Sequence, residues 1–294
     1  MDFKPLELKD LESVRHYFEY PKSRTCDYSA GGMFMWRNFY RMEYCFEQGI
    51  FISKLHDRDG NGFYNLPLAE DMDFALKTAL PLLKKAGEPL RFCTIPEEYV
   101  PLFQDVLGAV SVREQKEFAD YLYAASDLIE LKGKKFSGQR NHIHQFIRTA
   151  ADWSFVDISD VPITKVEEFL NRYVESEENQ SEMQLAENRM ALEVLEHLDT
   201  YGMFGGVLFA GGSIAGFSLG EIVHDTLYTH IEKADVSVKG SYQMLTNQFS
   251  ARFGGEVAYI NREDDAGDEG LRRAKEAYHP IRLLKKYIVE KTEG

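Results

Sequence analysis

The sequence predicts a mixed α/β protein with two domains, each a mostly antiparallel sheet flanked by helices. The chain has 294 residues, more than one small core needs, and fits two domains of about 150 residues each. Short runs rich in β-branched and aromatic residues alternate with runs whose apolar residues recur at helical spacing. Both halves share this coarse order, which favours a duplicated fold with domains at residues 1–126 and 127–294.

Composition and charge exclude several classes of protein. With 44% hydrophobic and 28% charged residues, the chain is typical of a soluble globular protein. Its formal net charge of −14 argues against a generally basic nucleic-acid-binding surface. The charged N-terminus MDFKPLELKD predicts no secretion signal. Cys26, Cys45 and Cys93 form no CxxC pair and predict reduced thiols in a cytoplasmic protein.

One uncharged segment, residues 200–220, is long enough to cross a bilayer. It contains seven glycines and a central Gly211-Gly212-Ser213 turn between strand-like residues. These features favour a β-hairpin over a membrane helix. The sequence therefore predicts no membrane span.

In the first domain the pattern predicts two helices ahead of an antiparallel sheet. The second helix, MFMWRNFYRM, follows Ser29 and is rich in Met and aromatic residues, which is typical of a core helix. The acidic loop at residues 57–62 lacks the closing glutamate of an EF-hand and predicts a hairpin turn. The other predicted elements are strands at 3–6, 43–47, 50–55, 63–66, 90–94, 110–113 and 118–123, and helices at 72–86 and 96–107.

The second domain is organised around residues 203–261. A hairpin, GMFGGVLF and IAGFSLGEIV, precedes a third strand at 226–231, a helix at 239–253 and a strand at 256–260. The helix carries apolar residues at steps of three and four, which predicts one buried face. The other predicted elements are helices at 134–150, 163–176, 183–197 and 270–277, and strands at 154–158 and 281–289.

Familiar catalytic and metal-binding motifs are absent. The sequence has no P-loop, no G-x-S-x-G and no H-E-x-x-H. His142 and His144 lie two apart on a predicted helix, so their rings diverge and no metal site is predicted. His230 alternates with Glu232 on a strand, and a satisfied structural histidine is the favoured interpretation.

A first candidate site is the loop that starts the helix at 239–253. Backbone N–H groups at a helix N-terminus bind anions, and Gly240 permits close approach. We therefore predict donor binding at Val238, Lys239, Gly240 and Ser241.

A second candidate site follows the strand at 256–260. Loops at strand ends commonly carry function, so Lys233, Asn261, Arg262 and Glu263 are predicted to line the site. The alternative is a polar loop whose Asp residues cap the next helix.

Cations surround Tyr278 in the sequence. Tyr278 is the predicted proton donor, with Arg272 and Lys285 predicted to hold donor phosphate. The alternative is a tyrosine packed on the sheet and solvated cations. Residues 132–148 have five basic and no acidic residues, and residues 271–291 have seven basic and two acidic ones. These segments are hypothesised to flank a cleft for a phosphate-bearing ligand.

Four segments in order resemble a known bacterial family. They are SAGGMFMWRNFY, LKGKKFSGQRNHIHQFIR, THIEKADVSVKGSYQMLTNQFS and YINREDDAGDEGLRRAKEAYHPIRLLKKY. Together they are similar to the family named after the C-terminal domain of phosphatidylglycerol lysyltransferase. The resemblance covers nearly the full chain and implies tandem GNAT-like domains related to Fem-type peptidyltransferases. Such relatives take an aminoacyl group from aminoacyl-tRNA.

The GNAT resemblance also bears on the donor. The pyrophosphate loop of GNAT enzymes carries Gln or Arg, two residues, Gly, one residue, and Gly or Ala. With its last glycine placed at Gly240, Asp235 stands where the basic or amide residue belongs and Val238 replaces the first glycine. This departure disfavours coenzyme A at the loop.

The leading hypothesis is an acyl- or aminoacyltransferase with its site in the second domain. The donor is aminoacyl-tRNA, the acceptor an amine or hydroxyl of a small molecule or peptide, and the tRNA acceptor end touches residues 132–140. One alternative is an N-acetyltransferase that uses acetyl-CoA. The other is a non-catalytic binding protein on the same scaffold.

Overall fold

The structure is a computed structural model that describes residues 1–87, 89–150, 152–176 and 181–292. It forms two compact units. The first unit contains residues 1–120, the short segment 264–267, and the chain from residue 283 onwards. The second unit contains residues 121–263 and 268–282.

Strands and helices are interspersed along the described residues. The strands are β1 (Lys4–Pro5), β2 (Glu43–Glu47), β3 (Ile50–His56), β4 (Gly62–Tyr64), β5 (Arg91–Pro96), β6 (Val110–Glu114), β7 (Asp120–Ala124), β8 (Ser154–Asp157), β9 (Phe204–Ala210), β10 (Ser213–Val223), β11 (Thr226–Ala234), β12 (Tyr259–Asn261), β13 (Arg282–Leu284) and β14 (Lys286–Lys291). The helices are α1 (Leu11–Val14), α2 (Ala30–Trp36), α3 (Met72–Ala86), α4 (Val100–Leu107), α5 (Ala125–Glu130), α6 (Ser137–Thr149), α7 (Ile163–Ser176), α8 (Glu182–Glu196), α9 (Leu198–Tyr201), α10 (Ser241–Phe253) and α11 (Glu269–Glu276).

The first sheet has the order β1-β2-β3-β4-β5-β14-β6. Its pairs are antiparallel except β4 with β5, where Tyr64 lies opposite Phe92. The terminal strand β14 lies between β5 and β6, with Tyr287 opposite Ile95 on one side and Glu114 on the other. The compact units therefore do not follow a single cut in the sequence. The division at residues 126 and 127 stays a prediction.

The second sheet has the order β13-β7-β12-β11-β10-β9-β8. Strands β9 and β10 form an antiparallel hairpin around Gly211 and Gly212, both with positive φ. The segment at 200–220 is thus strand and turn for most of its length, as its glycines indicated. In the described chain, every helix is too short or too polar to cross a membrane.

Helix α10 packs on the second sheet together with α5 and α6. Its buried face carries Leu245 and Phe249, whose neighbours in the core include Leu208 and Ile260. The predicted mixed α/β class, with two mostly antiparallel sheets flanked by helices, is confirmed.

Candidate functional site

The candidate site lies where strands β11 and β12 diverge. Their parallel pairing covers three residue pairs and ends with Tyr228 opposite Asn261. Beyond this point β11 continues to pair with β10. The chain after Asn261 turns to Tyr121, whose carbonyl oxygen accepts a hydrogen bond from the Arg262 amide. A wedge therefore opens between two neighbouring strands of one sheet.

Charged side chains bridge this wedge. His230 and Glu232 alternate on β11, and Arg262 and Glu263 follow β12 directly. His230 contacts Glu263, and Glu232 contacts Arg262. Because a buried charge without a partner is costly, the opposite charges stabilise one another across the gap that main-chain pairing leaves.

His230 is held between two carboxylates. Its side chain is fully buried, with Nδ1 2.6 Å from Glu263 Oε1 and Nε2 3.0 Å from Glu221 Oε1. Burial alone lowers the pKa of His230, but the hydrogen bonds to Glu221 and Glu263 outweigh it and raise the pKa to about 10. His230 is therefore an imidazolium at neutral pH, and it donates from both ring nitrogens.

A tight turn directs Glu263 towards His230. The Asn261 side-chain oxygen accepts a hydrogen bond from the Glu263 amide at 2.6 Å, and Glu263 has a left-handed backbone with φ of 58°. Such a conformation costs about 1 kcal/mol for a residue with a Cβ atom. Asn261, fully buried, therefore positions the turn rather than lining an open site.

Arg262 is a nearly buried guanidinium whose hydrogen-bonding capacity is only partly used. Its Nη2 lies 2.7 Å from Glu232 Oε2, and its guanidinium lies 4.9 Å from the centre of the Tyr278 ring. Burial lowers the pKa of Arg262, but the negative charge of Glu232 contributes to a larger rise. The net shift of the pKa is upward, so the guanidinium stays protonated. Its Nε and Nη1 are buried and have no hydrogen-bond partner among the described residues. These two nitrogens carry three N–H groups, whose hydrogen-bonding capacity is not used within the described part of the chain.

Tyr278 supplies a protonated phenol beside this guanidinium. Burial raises the pKa of Tyr278 to about 12, against the opposing effect of Arg262. The ring packs edge-on against Tyr123, whose hydroxyl donates to the Lys275 carbonyl oxygen at 2.8 Å. Lys275 in α11 donates in turn to the Arg262 carbonyl oxygen at 2.5 Å. Helix α11 therefore fixes the main chain of Arg262 and the Tyr123 ring that packs against Tyr278.

Comparison with known proteins identifies the family. The sequence profile described as "Phosphatidylglycerol lysyltransferase, C-terminal" matches residues 18–290, which is nearly the whole chain. The chain belongs to this family. The resemblance predicted from the four sequence segments is confirmed.

Several solved structures share this fold. A conserved protein of unknown function from Bacteroides thetaiotaomicron superposes with a TM-score of 0.89 at 29% identity, covering 99% of this chain and 100% of that one. L-PGS from Bacillus licheniformis gives a TM-score of 0.67 at 14% identity, covering 99% and 94%. A tandem GNAT protein from the clavulanic acid biosynthesis pathway gives 0.50 at 11%, covering 100% and 99%. The predicted tandem GNAT-like fold is confirmed.

A curated relative of the chain, an uncharacterized protein from Mycoplasmoides gallisepticum, is 24% identical over 184 residues. The match covers 58% of this chain and 56% of the relative. The chain thus spans little more than half the length of that relative.

Lys233 lies on the opposite face of β11 from the wedge, because neighbouring strand residues alternate. Its ammonium lies 2.8 Å from Glu187 Oε1 in α8 and 5.4 Å from the centre of the Tyr173 ring in α7. The structure therefore does not place Lys233 with Arg262, and its role in the site stays a prediction.

The predicted anion loop makes hydrogen bonds within the chain. The amide of Val238 donates to Asp235 O at 3.1 Å, and that of Ser241 to Val238 O at 3.0 Å. The Asp235 carboxylate accepts from the Ser237 amide at 2.8 Å. Gly240 has φ of 83° and packs so closely on α6 that an added Cβ would lie 2.2 Å from a carbonyl oxygen. The loop, which includes Lys239, is therefore a hydrogen-bonded turn that carries the acidic side chain of Asp235. Donor binding there stays a prediction.

The predicted phosphate-binding pair, Arg272 and Lys285, belongs to different compact units. Arg272 lies on α11 and is half-buried. Lys285 lies in the first unit, where its ammonium is 3.9 Å from Glu97 Oε1 and 44% of its side chain is exposed. Their shared role stays a prediction.

The basic segment before and within α6 is partly neutralised by neighbouring acids. Lys132 pairs with Glu130 at 2.8 Å, and Lys135 pairs with Asp127 at 2.9 Å. Arg140 donates to the carbonyl oxygen of Gly133 at 2.8 Å. A tRNA contact at residues 132–140 stays a prediction.

In the first unit, Cys26, Asp27 and Asp120 lie close enough to share a metal ion. The Lys286 ammonium, almost fully buried, lies 2.6 Å from a carboxylate oxygen of each aspartate. This ammonium supplies the positive charge that the cluster needs, so we assign the group a structural role.

Sequence analysis missed the partners that complete the wedge. Glu221, Glu232 and Thr246 lie in separate elements, and the Thr246 hydroxyl contacts Glu232. One signal was present, because His230 and Glu232 stand at alternate positions in a strand that is otherwise mostly apolar. Polar residues that share a buried face need partners, and here those partners come from distant parts of the sequence.

Proposed function

We propose that the chain transfers an aminoacyl group from aminoacyl-tRNA to an amine or hydroxyl of a small-molecule or peptide acceptor. Its family and fold are those of acyltransferases of the lysylphosphatidylglycerol synthase and GNAT type. The reaction would occur at the wedge of the second unit. The observation that carries the proposal is Arg262, a buried guanidinium with two donor nitrogens that have no partner among the described residues, beside the protonated Tyr278 phenol.

The transfer step divides between these two side chains. The acceptor nucleophile attacks the ester carbonyl carbon, and the carbonyl electron pair moves to oxygen. Arg262 N–H groups stabilise this oxyanion, which a water-poor site makes effective. When the oxyanion collapses, the bond to the ribose oxygen breaks and Tyr278 donates its proton to that oxygen. The phenolate then recovers a proton from the attacking group.

The high pKa of Tyr278 suits this role. A phenol with a pKa of about 12 stays protonated at neutral pH and is a weak acid. A ribose alkoxide is strongly basic and takes a proton even from a weak acid. Tyr278 therefore gives up its proton only as the ester bond breaks.

The loop at residues 235–241 supports aminoacyl-tRNA over coenzyme A. Pyrophosphate needs free backbone N–H groups and positive charge at a helix N-terminus. Here the Val238 and Ser241 amides already donate to carbonyl oxygens, and Asp235 adds a negative charge. A donor that does not depend on this loop fits the chain better.

Donor binding tests the proposal. A short RNA hairpin that copies the tRNA acceptor stem, with an amide-linked amino acid at its 3′ end, should bind and should compete with intact aminoacyl-tRNA. The uncharged hairpin is the control for general RNA binding. Isothermal titration should detect no binding of acetyl-CoA. Saturable acetyl-CoA binding without hairpin binding would overturn the proposal in favour of an N-acetyltransferase. Silence from both donors would favour a non-catalytic binding protein.

A further inference from the structure

The first unit contains a shallow cavity, open to solvent, of about 360 Å³ that includes none of the predicted site residues. It lies between the first strand, the turn after α2 and the end of β3. Leu6 and Met42 provide apolar walls, and Arg37, Arg41, His56 and Glu43 contribute charged or polar groups. This volume is within the usual range for small-molecule sites.

The turn after α2 places both arginines on the cavity. Met42 donates from its amide to the Arg37 carbonyl oxygen at 2.8 Å, which closes the end of the helix. Arg41 adopts a left-handed backbone with φ of 45°. Helix ends of this kind favour glycine or asparagine, and another residue costs about 1 kcal/mol. The arginine is therefore present against local backbone preference, which points to a use for its side chain.

His56 at the end of β3 and Asp57 directly after it make three hydrogen bonds with this turn. The His56 amide donates to Tyr40 O at 2.8 Å, and His56 Nδ1 lies 3.2 Å from Arg41 O. Arg41 Nη2 donates to Asp57 O at 3.0 Å. One hydrogen bond therefore ties the guanidinium of Arg41 to the neighbouring turn and restricts its orientation. Such preorganisation lowers the entropy cost of binding.

The cavity is locally positive in an acidic chain. Arg37, only 6% exposed, donates to the Phe34 carbonyl oxygen at 2.6 Å. The Glu43 carboxylate lies 3.8 Å from His56 Nε2, where it orients the ring. With His56 neutral, the two arginines and one glutamate give the lining a formal charge of +1, whereas the chain carries −14. The lining therefore attracts anions.

We propose that this cavity binds a small phosphomonoester. Arg37 and Arg41 would donate to the phosphate oxygens. A phosphate group presents three oxygens and can accept hydrogen bonds from two guanidiniums. A carboxylate has only two oxygens, and one guanidinium can donate a hydrogen bond to each of them. Leu6 and Met42 would pack against the organic part of the ligand. The site is independent of transfer chemistry in the second unit.

Calorimetric titration of the full chain tests the site. Glycerol 3-phosphate and inorganic phosphate should bind with one site per chain, and glycerol and acetate should not. Arg41→Ala should weaken glycerol 3-phosphate binding about tenfold or more, which corresponds to one lost charge-assisted contact of about 1.4 kcal/mol. Because Arg41 is exposed, the variant should keep the wild-type melting temperature. Arg37→Lys keeps the positive charge but loses the planar guanidinium with its parallel N–H donors, so it should also weaken glycerol 3-phosphate binding.

Arg58→Ala is the matched control. Arg58 is an exposed arginine of the neighbouring turn that does not line the cavity. The Arg58→Ala variant should bind glycerol 3-phosphate as wild type does. If it lost as much affinity as Arg41→Ala, the loss would be explained by the change in overall charge and not by this site. Failure of both phosphates to bind would overturn the proposal. Binding of duplex RNA or phosphatidylglycerol vesicles that depends on Arg41, without binding of glycerol 3-phosphate, would also overturn it and assign the arginines to a macromolecular phosphate.

Discussion

At the scale of single residues, buried charge determines what the wedge of the second unit can do. Sequence analysis selected Asn261, Arg262 and Glu263 because polar residues directly after a buried strand are commonly functional. It did not predict that Glu263 pairs with His230 or that Arg262 pairs with Glu232. These partners are about thirty residues apart in sequence, and local patterns carry no information on such contacts.

The raised pKa of His230 gives a pH-dependent contribution to stability. A folded-state pKa of about 10 against an ordinary value of 6.5 means that this contribution is complete below about pH 6.5 and is lost as pH rises through 10. Its upper limit is roughly 5 kcal/mol, from about 1.4 kcal/mol for each pKa unit. His230→Gln should therefore lower the thermal unfolding midpoint strongly at pH 6 and much less near pH 10.

His144→Gln is the control for this pH series, because His144 is exposed on α6. It should change the midpoint little at any pH. Parallel pH profiles for wild type and His230→Gln would contradict the assignment of His230 as a buried imidazolium.

At the scale of elements, the wedge depends on the irregular pairing of β10 with β11. The register shifts between the pairs Leu219–Ile231 and Gly220–Thr229, so β11 bulges at His230, which has no register partner in β10. Periodicity predicted the hairpin, the third strand and the helix behind them. It placed the start of the last strand at 256, whereas β12 begins at Tyr259. Bulges and late strand starts depend on packing against neighbouring strands, which the sequence pattern alone does not encode.

Gly220→Ala tests the role of this bulge. An added Cβ would lie 2.1 Å from the Tyr228 carbonyl oxygen and 3.1 Å from the Phe249 ring. We expect a loss of about 2 kcal/mol or more in the stability of the second unit, because the backbone must shift. The free energy of unfolding is measured by urea titration with circular dichroism as the signal.

Gly138→Ala, in α6, is the matched substitution with the opposite expectation. Nothing lies within 4 Å of its added Cβ, and alanine favours a helix by up to about 1 kcal/mol. It should stabilise the protein slightly. An equal effect of the two substitutions would show that close packing at Gly220 is not important.

At the scale of the whole molecule, the order of the predicted elements indicated a mixed α/β chain with a duplicated fold, and the family resemblance implied tandem GNAT-like domains. Neither predicted that the terminal strand β14 completes the first sheet, between β5 and β6. Strand signals identify which residues are extended, but the choice of partner sheet depends on which edge is open in the folded chain. The chain's net charge of −14 limits any tRNA contact to a small area.

The rate of aminoacyl transfer by the Arg262→Lys variant tests the central claim most directly. Lysine keeps a positive charge next to Glu232, so the variant should remain folded, whereas alanine would leave that carboxylate without its partner. The variant loses the Nε and Nη1 donors. The measurement follows radiolabelled amino acid from a pool of charged tRNAs into small-molecule and peptide products of a cell extract.

Wild type should move the label into a product, and Arg262→Lys should do so about 100-fold more slowly, as expected when an oxyanion donor is lost. Its melting temperature should stay close to that of wild type. If the folded Arg262→Lys variant transferred the amino acid at the wild-type rate, that result would contradict the site at the wedge. No transfer by wild type from any charged tRNA would contradict the proposed reaction itself.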